Sequence, residues 1–265
     1  MERRTLVFFH AHPDDEAIAT GGTMIKAADA GHRVVLAVAT KGENGEVADD
    51  YLDPGEQLWE RRVRETHAAA EVLGVQRVEF LGYVDSGMMG TPENEHPGCF
   101  WRADVEEAAR RLADILVEEQ ADVLTVYDEN GVYGHPDHIQ IHRVGMRAAE
   151  LAGTPRVFMS TVDKDRMLRL IKEAQAAGEM DMPGDLDPDD FQLGVPAERI
   201  TTTVDVTRVV DRKRLAMAAH ASQISETSFF LAMAPEQFRA AFGLEDYILC
   251  VPPGPAPADD LLEGL

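Results

Sequence analysis

Between residues 5 and 161, short apolar runs alternate with longer amphipathic stretches, and this alternation leaves few architectures open to the chain. Residues 5–11, 33–40, 77–81, 122–127 and 156–161 are strand-length and apolar, the pattern of strands buried on both faces. Helix-length segments at 14–30, 56–73, 102–120 and 138–151 separate them. Acids open the first helix, favouring its dipole, and Gly31 and Gly74 stand just past the ends of the first two. In the third, Val105, Ala108, Ala109, Leu112, Ile115 and Leu116 form one apolar stripe. The pattern predicts an α/β fold, a doubly wound and mostly parallel sheet with helices on both faces and a small C-terminal extension.

Residues 1–178 form the principal unit in this reading. The stretch 179–190 holds six acids, no base and two prolines, so 179–199 reads as an acidic linker. Beyond it, a strand (200–206), a helix (208–221) and a last strand (247–251) complete the same domain. The Pro- and acid-rich residues 252–265 read as a disordered tail. Residues 82–101 make a long loop with four glycines and two prolines, a length usually tied to function in a compact domain.

Two clusters carry the chemistry: His12-Pro13-Asp14-Asp15-Glu16 and His135-Pro136-Asp137-His138. Each follows a predicted strand and precedes a helix. Ligands of open parallel sheets sit at the carboxyl ends of the strands, where strand order reverses. In the commonest doubly wound order that reversal sets the first and fourth strands side by side, so the clusters meet in one crevice. Imidazole and carboxylate without thiols suit a catalytic zinc with an open position, and Fe2+ uses the same ligand types. Asp14 and Asp15 are adjacent like charges, costly to bring together unless a cation neutralises one. One carboxylate on the metal and its neighbour as base is a natural division, but spacing does not say which is which. Asp-Asp-Glu opening a helix is also an ordinary capping pattern, and it is the pairing of two clusters that favours function.

Forty-eight acids against 25 bases give a formal charge of −23, which repels phosphate backbones and argues against nucleic-acid partners. No apolar run approaches the roughly 18 residues of a membrane span, and the N-terminal run is too short for a signal segment, so a cytoplasmic protein is expected. Cys99 and Cys250 are too few and too far apart for a disulfide framework or a cysteine-built zinc site. Oligomeric state has no signature in the sequence.

The segments His12–Glu16 and Asp128-Glu129-Asn130-Gly131-Val132-Tyr133-Gly134-His135-Pro136-Asp137-His138 resemble the PIG-L (LmbE-like) deacetylases, strongly over residues 5–160 and loosely over 200–250. The resemblance implies a Rossmann-like zinc enzyme that removes acyl groups from N-acylglucosamine units. It implies one Zn2+ held by His12, Asp15 and His138, with Asp14 as general base. It makes His135, as an imidazolium, the group that stabilises the oxyanion and protonates the leaving amine, with Asp137 orienting it, and Tyr133 a mobile aid to carbonyl polarisation. Further segments, Gly42–Val47, Arg62 and residues 85–92, are similar to the mycothiol branch, its deacetylase and its S-conjugate amidase. That likeness implies a small amino-sugar substrate, with Arg62, Asp85, Met88 and Glu46 in substrate binding. The residue-level alternatives are a solvated basic run around Arg62 and a plain turn at Asp85.

His10, where the family usually has an aliphatic residue, reads as a hydrogen-bonded histidine behind the site. His142 reads as a surface or supporting residue, and His32, His67 and His96 as surface residues. His220-Ala221-Ser222-Gln223 resembles a recurrent C-terminal segment of the family without a chemical reason attached. A serine hydrolase elbow (G-x-S-x-G), a dinucleotide fingerprint (G-x-G-x-x-G) and H-E-x-x-H are all absent. The readings that remain are a zinc N-deacetylase, an amidase of thiol conjugates, and a non-catalytic metal- or sugar-binding protein on the same fold.

Overall fold

The computed structural model of the chain describes residues 2–48, 51–176, 193–252, 259–263 and 265. Its strands are β1 (Thr5–His10), β2 (Arg33–Thr40), β3 (Arg77–Tyr83), β4 (Val123–Tyr127), β5 (Arg156–Thr161), β6 (Thr202–Asp205) and β7 (Leu244–Val251). They lie in one sheet in the order β3-β2-β1-β4-β5-β7-β6. The first five are parallel, and β7 runs antiparallel to both β5 and β6. Strands β1 and β4 are direct neighbours, with Leu6 beside Val123 and Phe8 beside Thr125.

Alternate residues of each central strand feed opposite faces, as strand geometry requires. Val7, Phe9, Val35, Ala37, Leu124 and Val126 join one core with α3 (Val105–Glu118) and α5 (Pro136–Ala152). Leu6, Phe8, Val34, Leu36 and Val123 join the other with α1 (Gly21–Asp29), α2 (Leu58–Leu73) and α7 (Val210–Ala219). Fully burying a side chain such as Phe8 or Phe9 contributes about 1.5–3 kcal/mol, so both layers are strongly held. The remaining helices are the single turn α4 (Gly131–Gly134), α6 (Lys164–Ala176), the single turn α8 (Phe229–Ala232) and α9 (Pro235–Phe242).

Several expectations are revised. The predicted helix over 14–30 is not continuous: Glu16–Thr20 is π-helical and α1 begins at Gly21. The break falls at Thr20, whose φ of −132° and ψ of 6° lie outside helical space, and Asp14, at a φ of 104°, lies outside the helix altogether. Helices α6, α8 and α9 were not anticipated. The acidic stretch 179–190 lies outside the described residues, but the end of the expected linker is packed: Val195 is buried and Gly194 donates its N–H to Val132. The expected tail is likewise partly anchored, because Leu261 is buried and Arg156 Nη1 donates to the carbonyls of Leu261 and Glu263. His32 is buried rather than at the surface, its Nδ1 accepting the Arg4 N–H. Among the described residues no helix is long and apolar enough to cross a membrane.

A buried ion pair ties the C-terminal part to the sheet. Glu245 on β7 accepts the N–H groups of Gly22 and Thr23 at the start of α1 and pairs with Lys213 Nζ at 2.7 Å. Removing one member strands the other's charge, a loss of about 3–5 kcal/mol. Lys213→Met is therefore expected to lower the urea-unfolding free energy by about 3–5 kcal/mol, and adding Glu245→Gln is expected to recover part of it. A Lys213→Met protein as stable as wild type contradicts this.

Candidate metal and catalytic site

Strands β1 and β4 end side by side and deliver two turns into one crevice. The first turn runs from Ala11 to Asp15, and Thr40 at the end of β2 holds it by donating to the Ala11 carbonyl. The second begins at Asp128, whose Oδ1 accepts the N–H groups of Asn130 and Val132 while its Oδ2 accepts the Thr161 hydroxyl. It ends at His135-Pro136. There His135 caps α5, its Nδ1 accepting the Asp137 N–H at 3.1 Å, and proline occupies the first helical turn. His138 follows on the first turn of α5, facing the crevice.

One carboxylate oxygen sits at the centre of the predicted ligand set. Asp15 Oδ2 lies 3.4 Å from His12 Nδ1 and 3.3 Å from His138 Nε2, and it also accepts the His12 N–H. The His138 ring stacks on Tyr127 with centroids 4.4 Å apart and planes 14° from parallel. On the far side of His12, Nε2 faces Asp137 Oδ2 at 3.2 Å and Asp85 Oδ1 at 3.5 Å. His12 with His135 and His138, and His12 with Asp85 and Asp137, also offer ligand atoms within 4.8 Å of one another. Three arrangements for a cation therefore share His12. The arrangement with Asp15 uses Nδ1, the His12 nitrogen that points away from the Asp85–Asp137 pair. A ring that donates Nε2–H to a carboxylate presents Nδ1 as its lone pair, the arrangement found behind metal-bound histidines.

The electrostatics call for positive charge at this point. Burial opposes a charged His12 ring, yet Asp85, Asp137 and Asp15 outweigh it and hold its pKa well above the ordinary value. Burial likewise opposes ionised Asp15 and Asp85, but the surrounding histidines overcome it, and both carboxyls stay well below their usual range. Asp14 goes the other way: burial, helped by Asp15 and Glu16, prevails over Arg62 and His220 and pushes its carboxyl up to about 6. Burial, together with His12 and His138, lowers His135 to about 4. A cation beside it acts in the same direction.

Burial thus disfavours a charged His135 ring in the free site, and its Nδ1 accepts the Asp137 N–H. The Asp137 carboxylate is fully buried, accepts the Ser86 N–H at 2.9 Å and the Ser86 hydroxyl, and faces His12, while the Asp137 N–H is the group that meets His135.

The other expected residues are distributed unevenly. Tyr133 is exposed, with its hydroxyl 3.4 Å from His138 Nε2. Arg62 is 4% exposed, which rules out a solvated basic run; it donates to the carbonyls of Gly42 and Pro13 and lies 3.4 Å from Asp14 Oδ2. Asp85 is buried and already accepts the Gly87 N–H, beside a cavity of about 550 Å3 lined by Asn44, Val84, Pro92, Glu93, Glu95 and His96. Met88 is exposed on the same loop. The Glu46 side chain is exposed, with only its carbonyl engaged, by Gln223, and Glu43 instead reaches inward to accept the Asp85 N–H. His10 is a satisfied core histidine, bonded to the Tyr127 hydroxyl and Thr20. His142 is bonded to the Tyr127 carbonyl. Ser86 and Tyr127 were not anticipated. Their signals are slight: a serine in a turn, and an aromatic residue closing a buried strand just before the second cluster.

The model of the GlcNAc-PI de-N-acetylase family, PIG-L, matches residues 7–149. A 1D-myo-inositol 2-acetamido-2-deoxy-alpha-D-glucopyranoside deacetylase of Thermomonospora curvata is 42% identical, with 99% of this chain and 96% of that protein covered. The protein of the same description from Acidothermus cellulolyticus is 41% identical, covering 99% and 95%. Among solved structures, N,N'-diacetylchitobiose deacetylase from Pyrococcus horikoshii superimposes with a TM-score of 0.60 at 24% identity, over 94% of this chain and 84% of that one, a likeness of fold. The fold and these relatives define a deacetylase, a hydrolase of amide bonds. The chain belongs to the PIG-L family.

The raised Asp14 carboxyl is open to direct measurement. A carboxyl-carbon NMR titration of the metal-free protein is expected to place Asp14 near pH 6, protonated below and ionised above. Adding Zn2+ is expected to move that midpoint down, because a nearby cation favours the carboxylate. A midpoint at the ordinary value of about 3.9 contradicts the effect of burial.

Proposed function

We propose that the chain hydrolyses the acetamide of an N-acetylglucosamine-type substrate, with Zn2+ held by His12, Asp15 and His138. The observation that carries this reading is Asp15 Oδ2, 3.4 Å from His12 Nδ1 and 3.3 Å from His138 Nε2 in a pocket that also contains Asp14 and His135. Two imidazole nitrogens and a carboxylate without thiols form a donor set that zinc accepts, and Fe2+ fits the same set. When bound, such an ion supplies a Lewis acid that polarises the amide carbonyl and makes water more acidic.

The chain's own groups do the rest. Asp14 takes a proton from the attacking water at its carboxylate, a function its raised pKa suits. His135 donates Nε2–H to the carbonyl oxygen as negative charge develops there, and a neutral ring suffices for that. The proton gathered on Asp14 goes to the departing amine as the C–N bond breaks. Tyr133, on a turn between Gly131 and Gly134, both at positive φ, adds a second donor at the carbonyl. Asp137 fixes His12 rather than His135. Asp85 and Met88 border the approach of the sugar and Arg62 supports it through the Pro13 and Gly42 carbonyls, whereas the exposed Glu46 reaches substrate only at the rim.

The relatives' descriptions support N-acetylglucosaminyl-inositol as the substrate to test first. The amidase reading survives only if a thiol conjugate competes better, and competition between the two substrates separates them. A purely binding protein needs neither Asp14 nor His135. Asp14→Ala is expected to keep zinc, measured by atomic emission, and to lose about 10²–10⁴-fold in kcat, whereas His138→Ala is expected to lose the metal. An Asp14→Ala protein turning over N-acetylglucosaminyl-inositol at the wild-type rate removes the base assignment.

A further inference from the structure

We propose that His220-Ala221-Ser222-Gln223 is a latch that positions Asp14 from behind, through Glu16 on one side and through Glu65 and Arg62 on the other. The proposal rests on the reading of Asp14 as the base. Asp14 is one of three non-glycine residues at positive φ among the described residues, and although aspartate tolerates positive φ better than most residues, 104° lies well beyond the left-handed well near +57°. Something outside the turn must hold it there.

The first arm acts on its backbone. Asp14 donates its N–H to Glu16 Oε2 at 3.0 Å, and the other oxygen of Glu16 faces His220 Nε2 at 2.5 Å. Glu16 and His220 are both fully buried. Glu16 is thus fixed at both oxygens, one by the turn it steadies and one by a residue more than two hundred positions away. The His220 ring is in turn held by a tight turn, in which its carbonyl accepts the N–H groups of Gln223 and Ile224.

The second arm acts on the other side of the same peptide. Ser222 gives both its N–H and its hydroxyl to the Glu65 carboxylate, at 2.9 and 2.6 Å. Glu65 lies on α2 three positions after Arg62, on the same helical face. Arg62 donates to the Pro13 carbonyl at 2.5 Å and sits 3.4 Å from Asp14 Oδ2. Gln223 completes the contact by donating to the Glu46 carbonyl, which closes the 42–46 loop over Arg62. One four-residue segment therefore reaches the catalytic turn, the helix that braces it and the loop that covers the brace. None of its side chains is among the groups assigned to substrate or metal, so these are positioning residues. Displacing a reacting group by about 1 Å costs on the order of 10²-fold in rate, which is the scale on which the latch acts.

The test is His220→Ala, His220→Gln and Ser222→Ala in the zinc-loaded protein, assayed with N-acetylglucosaminyl-inositol. His220→Ala is expected to lower kcat by about 10²-fold with KM and zinc content unchanged. Its crystal structure is expected to show Asp14 relaxed out of positive φ. His220→Gln, whose amide donates from a similar reach, is expected to restore most of kcat. Wild-type kcat in His220→Ala, or an unchanged Asp14 φ in that variant, overturns the latch. If His220→Ala does not fold, Ser222→Ala decides: reduced kcat at full zinc content supports the latch, and wild-type kcat overturns it. An inactive Asp14→Ala beside a fully active His220→Ala sinks the latch alone, whereas full activity in both sinks the base reading itself.

Discussion

The parallel pairing of β1 with β4 is the contact on which the site depends. Consecutive parallel strands are joined over the faces of the sheet, and the winding reverses once, between these two strands. On either side of that reversal the connections leave in opposite directions, so the turns after β1 and β4 are not covered by a crossing helix. The His12–Asp15 turn and the His135–His138 turn fill the gap. Hydrogen bonds from neighbouring strands then fix each turn, through Thr40 to Ala11 and through Thr161 to Asp128. The groups proposed for catalysis therefore sit just past strand ends, a placement that holds functional geometry well.

The price of assembling the crevice is a concentration of buried carboxylates. Asp15, Asp85 and Asp137 all approach His12, while Asp14 sits next to them with its carboxyl pushed up by burial. Without a metal the site meets this by holding a proton on His12. A divalent cation satisfies the same demand with more charge and frees that proton, so metal binding and proton release are coupled. Burial, together with His12 and His138, lowers the pKa of His135 in the same crevice.

The sheet, the adjacency of its first and fourth strands, and the convergence of His12, Asp15 and His138 were legible because they follow from apolar periodicity and from motifs that sit at strand ends. What escaped the sequence was settled by contacts between distant residues. The pairing of Asp137 with His12 spans 125 positions, whereas the sequence suggests the nearer His135. Arg62, expected at the substrate, cannot be told from one base in a charged run until the fold turns it inward beneath Pro13. Glu16 looks like a first-turn acid favouring the helix dipole, and only the folded chain sets it between Asp14 and His220. His32 and Leu261 carry no local sign of burial, because their partners, Arg4 and Arg156, lie in other parts of the chain.

Which side of His12 receives the metal decides the account, since three groups of ligand-capable residues share that ring. Anomalous diffraction at the zinc absorption edge from crystals of the zinc-loaded protein tests it most directly. The account predicts one peak per chain, bonded to His12 Nδ1, Asp15 Oδ2 and His138 Nε2, with Asp14 and His135 close by but unbound. A peak bonded to His12 Nε2 with Asp85 and Asp137, or one that takes His135 as a ligand, contradicts it.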